Sequence, residues 1–391
     1  MTLIVFFGST GLAKLPLITP VLLVIVSFSL LVSSDELVSV NTNGAGGNNA
    51  SSSPLLDASG RYVLFQSQAS DLAGVPVVGV TNLFFRDTQA NATCRLTAGN
   101  STAIPAVTAA AMTPDGHYVA FVGLTQTNSS PYQVCLWDSQ AVALVYSNTM
   151  PLIEGGVSGG GTNIAVSPDG NRLAYIISSQ NYSRYGEQLY VVDRAAQSNW
   201  MIATGVPAYR FGLQFSGDSR YLVYAAAPAF QFNQPNQTND VYRYDFQAQS
   251  NLLISQSSSG SIGNGSSDWP AISWDGRFVA YRSAATNLAP GGTNGFPQIY
   301  LYDSQSNTTT LLSVGALTSA GGDNRSQAPA FSGDSTTLFF RSWASDLLTN
   351  DFSGSGGIFA LGVAPPALFC VISFPPGGVP VISWPAVSGT T

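Results

Sequence analysis

One lysine, Lys14, and one histidine, His117, stand in 391 residues, and charged side chains make up only 9% of the chain against about 25% in ordinary soluble domains. A single histidine excludes H-E-x-x-H and multi-histidine metal sites. A single lysine near the N-terminus leaves none for Schiff-base or P-loop chemistry. The net charge of −7 arises from scarce base, 14 Lys and Arg against 21 Asp and Glu, and the arginines are scattered singly, which excludes nucleic acid as a partner. Three cysteines, Cys94, Cys135 and Cys370, are too few and too far apart for a disulfide framework or zinc ribbon and read as small buried hydrophobes. With 39 glycines and 22 prolines the chain is no helical bundle. What it does have, 45% hydrophobic and 11% aromatic residues, is enough apolar matter for a sizeable core and excludes simple disorder.

From Leu15 to Ser33 the sequence is uncharged and apolar, followed by small residues and a polar start at Asp35. This pattern reads as a secretory signal or a membrane anchor over residues 1–34, and it places the rest outside the cytoplasm: periplasmic, at the cell surface or secreted. The membrane is then a partner only through an uncleaved leader.

A segment recurs six times: PLLDASGRYVLF from Pro54, AMTPDGHYVAF from Ala111, AVSPDGNRLAY from Ala165, LQFSGDSRYLVY from Leu213, PAISWDGRFVAY from Pro270 and PAFSGDSTTLFF from Pro329. Anchored on Gly60, Gly116, Gly170, Ser219, Gly276 and Ser335, the spacings are 56, 54, 49, 57 and 59 residues. Five copies continue into a strand ending at Asp87, Asp138, Asp193, Asp245 or Asp303, and then into a turn and another short apolar run. Four short β-runs per unit describe one antiparallel blade, so the fold class is all-β: a six-bladed β-propeller of four-stranded antiparallel blades over residues 35–363. The sixth copy lacks a fourth strand. The segment ELVSVNTNGAGGNNASSSP before the first copy matches TLLSVGALTSAGGDNRSQAP of a later one, and Leu37–Val40 is therefore expected to close the ring as the outer strand of the last blade.

The SPDG-type turns (Thr113–Gly116, Ser167–Gly170, Ser273–Gly276) with their IYLYD-like strands resemble the PD40 (WD40-like) repeats of TolB-like six-bladed propellers. The stretch Ser283–Asp303, echoed at Ser67–Leu72 and Ser342–Leu347, resembles a subgroup of secreted bacterial repeat proteins. The resemblance implies a fold shared by enzymes, receptors and scaffolds, and so does not fix a function. Residues 364–391 resemble a linker followed by a truncated fibronectin type III-like segment with Trp384 as its core tryptophan.

Chemistry is sparse. Gly156–Gly160 fits G-x-S-x-G, yet Ser158 lies in a blade-joining loop and His117 in a first-to-second-strand turn, on opposite faces of a propeller, which excludes the pair. Asp115, Asp169 and Asp275 precede glycine in hairpins and read as turn residues rather than metal ligands. Calcium loops at Thr293–Gly295 and Thr238–Val241 lack the carboxylates such sites need. No catalytic residue, metal or cofactor is expected. The long loops belong to one face, and variable loops on a rigid scaffold are where recognition occurs. Aromatics among Asn, Gln and Ser in these loops are the candidate ligand-binding residues: Tyr182, Tyr185, Phe230, Phe232, Trp269, Phe296, Trp343 and Phe352. The expected function is a non-catalytic, monomeric scaffold binding a protein, peptide or glycan on that face. The alternative is a polysaccharide lyase or hydrolase using Asp and Tyr at the central channel.

Overall fold

The computed structural model describes residues 36–73, 81–96, 106–124, 132–151, 158–179, 187–206, 212–227, 238–292, 295–349 and 356–363, with the backbone of 371–373 and 381–383. The leader, Cys370 and Trp384 lie outside them.

Blade 1 consists of β1 (Ser51–Leu56), β2 (Tyr62–Ser67), β3 (Asn82–Asp87) and β4 (Ala92–Arg95), and blade 2 of β5 (Ala106–Met112), β6 (Tyr118–Leu124), β7 (Tyr132–Asp138) and β8 (Ala143–Thr149). Blade 3 follows with β9 (Ser158–Val166), β10 (Arg172–Ser179), β11 (Gln188–Asp193) and β12 (Ser198–Thr204). Blade 4 contains β13 (Gln214–Phe215), β14 (Tyr221–Ala226), β15 (Asp240–Asp245) and β16 (Ser250–Leu253). Blade 5 contains β17 (Ser267–Ile272), β18 (Phe278–Ser283), β19 (Gln298–Asp303) and β20 (Thr308–Leu311). Blade 6 has β21 (Ser326–Phe331), β22 (Thr337–Ser342) and β23 (Gly357–Gly362). Each sheet is antiparallel with its strands in chain order, the sequential hairpin pattern that the repeat predicts. Beyond them, β24 (Val371–Ser373) and β25 (Val381–Ser383) pair as a short hairpin.

The middle strands of blades 2 to 5 are apolar on both sides because each of these blades packs between two others. Val119, Phe121 and Cys135 of blade 2 meet Leu64 and Phe85 of blade 1, while Ala120, Val122 and Leu136 turn to Val166, Leu173 and Tyr175 of blade 3. Similar cores join blades 3 and 4 around Phe215, 4 and 5 around Tyr281, and 5 and 6 around Phe340. Two-sided burial leaves little place for charge in the middle strands, in keeping with the 9% figure. Cys94 and Cys135 are free thiols in this packing. Burial raises their pKa to about 11 and about 12, so they behave as hydrophobes.

The repeat's polar residues build the turns. Asp115, Asp169, Asp218, Asp275 and Asp334 each accept from the hydroxyl two residues back and from the backbone N–H two residues on. The third-strand aspartates form a second tier. Asp87, Asp193, Asp245 and Asp303 pair with Arg61, Arg172, Arg220 and Arg277, and Asp138 with His117. Gly116, at φ +70°, leaves no room for a side chain: a Cβ would sit 2.3 Å from the Tyr62 ring of the preceding blade. Gly170 sits likewise on Tyr118 and Gly276 on Tyr221.

Two expectations require correction. Leu37–Val40 belongs to no sheet: Val40 bridges Gly46 instead. The same isolated bridge joins Gln256 to Ile262 and Val314 to Gly321, each three residues after an outer strand ends. Leu37–Val40 is therefore irregular chain ending in that bridge rather than a strand. Among the described residues blade 6 has three strands. Second, Ser158 opens β9 rather than lying in a loop, because the eight-residue β10 extends far enough to pair Ser179 with it across two bulges.

Candidate functional site

All six inner strands or the turns that follow them line one cavity of about 590 Å³, among them Ala58, Met112, Ile164, Phe215, Trp274 and Phe331. This shared wall is what arranges the sheets about a common axis. Among the described residues the lining is apolar apart from Gln214 and Ser332, with no carboxylate, phenol or histidine. Gln214 is already engaged, its Oε1 accepting from the Ile272 N–H at 3.1 Å. Trp274 is 49% exposed, and its indole covers Gly217 of the preceding blade, where a Cβ would lie 2.2 Å from the ring.

At the opposite end of the strands the loops are tied by a reciprocal clamp that occurs three times. The Asn264 N–H donates to Asn287 Oδ1 while the Thr286 N–H donates to Asn264 Oδ1, at 2.9 and 2.7 Å. Asn48 with Asp71 and Ser70, and Asp323 with Asp346 and Ser345, repeat the geometry. The related segments Ser67–Leu72, Ser283–Leu288 and Ser342–Leu347 supply half of each clamp. Beside the Asn287 clamp is a hollow of about 340 Å³ lined by Ser257, Ser258, Ser259, Ser261 and the turn Asn287–Pro290.

Of the candidate aromatics, Tyr182, Tyr185, Phe230, Phe232 and Phe352 lie outside the described residues. Phe296 is 42% exposed. Trp269 is half-buried in β17 with the Arg282 guanidinium 5.8 Å from its ring centroid, and Arg282 is held by Asp268. Trp343 carries two guanidiniums, Arg325 at 4.4 Å and Arg341 at 4.1 Å, an arrangement favoured by the ring quadrupole. These three residues stand on blades 5 and 6 and do not form a common pocket among the described residues.

Two features escape a reading of composition and motif. Asp240 is buried at the start of β15, where Ser255 donates to it at 2.8 Å, and burial raises its pKa. The second is a cleft of about 460 Å³ at the outer rim between blades 3 and 4, lined by Arg172, Asp193, Ser198, Trp200, Tyr244, Phe246 and Gln249 with Ala196. The signal for the cleft is present in the sequence as departures from the repeat at three positions. Among the described residues no group of three or more His, Cys, Asp or Glu is placed to hold a metal ion.

No family model matches the chain, and no curated protein matches it. Among solved structures the propeller domain of the Trilobed protease from Pyrococcus furiosus is 10% identical over 79% of this chain and 81% of its own, with a TM-score of 0.47. A TolB candidate from Agrobacterium tumefaciens is 14% identical over 67% and 80%, with a TM-score of 0.37. A prolyl endopeptidase is 14% identical over 81% of this chain and 40% of its own, with a TM-score of 0.49. These likenesses concern fold alone. The assignment as an all-β propeller rests on the chain's own six sheets and the cavity they share.

Proposed function

We propose that the chain is a non-catalytic, extracytoplasmic propeller scaffold of the PD40, TolB-like kind that binds a protein, peptide or glycan on its long-loop face. The observation that carries this reading is the threefold clamp, which ties the described loops of blades 1, 5 and 6 on that face before any partner arrives. Preorganisation lowers the ordering cost of binding. Phe296 and the Ser-lined hollow then offer a rigid ring and a row of hydroxyls, the mixture that suits recognition of amide or sugar surfaces. The described lining of the axial cavity is apolar, and this supports a binding reading over polysaccharide cleavage by its described residues.

The test is a glycan array and an affinity pull-down with the full chain, repeated with Phe296→Ala and Trp343→Ala. A retained partner whose binding falls roughly tenfold in either variant supports the reading. Cleavage of a polysaccharide without any retained partner overturns it in favour of an enzyme.

A further inference from the structure

Six copies of one blade within a single chain act as their own control: what repeats is structural, and residues that depart from the repeat and meet in space need another reason. Three such departures meet in the cleft between blades 3 and 4. After the first turn, blades 1, 2, 4 and 5 place a basic residue and then an aromatic one: Arg61-Tyr62, His117-Tyr118, Arg220-Tyr221 and Arg277-Phe278. Blade 3 has Asn171-Arg172 instead. A one-residue shift on a strand moves a side chain to the other face, and the Arg172 guanidinium accordingly lies over the Phe246 ring at 4.6 Å. Phe246 is the second departure, since the residue after the third-strand aspartate is Thr88, Ser139, Arg194 or Ser304 in the other four copies. The third is Trp200, which pairs with Val191 where Cys94 pairs with Phe85, Tyr146 with Leu136, Leu252 with Arg243 and Thr310 with Leu301; blade 2 also has an aromatic there, but only blade 3 has a tryptophan. Trp200 meets Phe246 edge-on at 6.4 Å and 76°.

We propose that this cleft binds a neutral saccharide, a site separate from the long-loop face. Its volume of about 460 Å³ lies within the range of roughly 300–1,000 Å³ for small-molecule sites. Its charges cancel. Arg172 Nε donates to Asp193 Oδ2 at 3.0 Å, and Asp193 Oδ1 accepts from Asn171 Nδ2 and from the Ala196 N–H, each at 3.0 Å. A charged ligand would disturb this balance, whereas a neutral one need not. Arg172 Nη1 donates to the Ser219 carbonyl at 3.1 Å, and Nη2 has no acceptor among the described residues. The Ser198 hydroxyl and the exposed Gln249 amide add donors and acceptors on the same wall. Half-buried Trp200 supplies the ring surface, backed by Phe246, which stacks on Phe215 at 5.8 Å, and by the buried Tyr244. Rings that take apolar C–H faces beside groups that exchange hydrogen bonds with hydroxyls are the chemistry a sugar ring presents.

Saturation-transfer NMR and calorimetry on the full chain with cellobiose, lactose, maltose and N,N′-diacetylchitobiose test this. At least one disaccharide is expected to bind in the millimolar range. Trp200→Leu and Phe246→Ser install residues that other blades use, so the fold should persist, and each is expected to weaken binding roughly tenfold. Ser198→Ala, a smaller change at the rim, is expected to weaken it measurably with an unchanged Tm, and it decides the matter if either larger change unfolds the chain. Trp343→Ala should leave this binding untouched. Failure of all four disaccharides to bind, or affinity unaltered in the cleft variants, overturns the proposal. Loss of binding only in Trp343→Ala would assign the saccharide to the long-loop face instead.

Discussion

At the scale of single residues the repeat distinguishes a side chain that serves the blade from one that burdens it. Gln298 opens β19 and is buried, its Nε2 donating to the Gly322 and Asn324 carbonyls while its Oε1 accepts from Ser313. Asp240 opens β15 at the corresponding place and, ionised, has no proton to donate. Burial raises its folded pKa above the unfolded value. The protonated form therefore favours the fold: the associated stability is full below the unfolded carboxylate pKa and is lost as pH rises through the folded one. Asp240→Gln is expected to raise stability at pH 7 by about 1 kcal/mol, the usual net worth of a buried hydrogen bond. The gain should shrink as pH is lowered toward 4, and thermal melts at the two pH values measure it. An equal Tm gain at both would refute titration of Asp240 as the cause. The paired carboxylates shift the other way. Arg277 holds Asp303, and Arg220 holds Asp245, below the usual carboxylate range, so stability from these pairs is present above the unfolded pKa and lost as acid reaches the folded one.

At the scale of elements the first turn of each blade is both a hairpin and a contact. Gly60 and Gly116 have φ of +73° and +70°, but a Cβ on Gly60 meets open space whereas one on Gly116 meets Tyr62. Gly60→Ala should cost about 1–2 kcal/mol for the left-handed backbone alone. Gly116→Ala should cost a further ~1–3 kcal/mol for overpacking. Denaturant melts of both variants separate the two effects; equal losses would mean that Tyr62 yields freely. Blade order, strand order and turn chemistry were legible in the sequence because apolar alternation and Asp-Gly turns are local signals that recur. The clamps were not, since Asn264 and Asn287 are ordinary loop residues until folding sets one loop against the other. Leu37–Val40 reads as a strand because it alternates like one, and only the bridge from Val40 to Gly46 reveals it as irregular chain. Arg172, Trp200 and Phe246 were legible one by one as departures, yet nothing local says that they meet.

At the scale of the whole molecule the two ends of the repeat differ. Ile299 of blade 5 is buried in the core with blade 6, whereas Ile358, the matching residue of blade 6, is 73% exposed, and Phe339 beside it on β22 is 42% exposed. Ile299→Lys is expected to cost more than about 3 kcal/mol, as an unpaired buried charge does, and Ile358→Lys to remain within about 0.5 kcal/mol. A comparable loss at Ile358 would show that this face is covered in solution. Removing residues 35–43 deletes the Val40 bridge and the hydrogen bond from Asn41 Nδ2 to Asp71. A lowered Tm is expected, and an unchanged one would mean that blade 1 stands without its N-terminal loop.

The hydrogen bonds between neighbouring turns run close to the axis. The Ala58 N–H donates to the Pro114 carbonyl, the Asp169 N–H to Ser219 Oγ, the Gly217 N–H to the Trp274 carbonyl and the Trp274 backbone N–H to Ser335 Oγ. Turns are thus fastened to turns at the hub, while outer strands such as β12 and β16 rely on side-chain packing. Mechanically the molecule is a fan riveted at its centre. Load on such a fan is expected to open the rim before the hub, and anything seated between blades 3 and 4 at the rim acts on a long lever against the bond from Asp169 to Ser219 that fastens their turns.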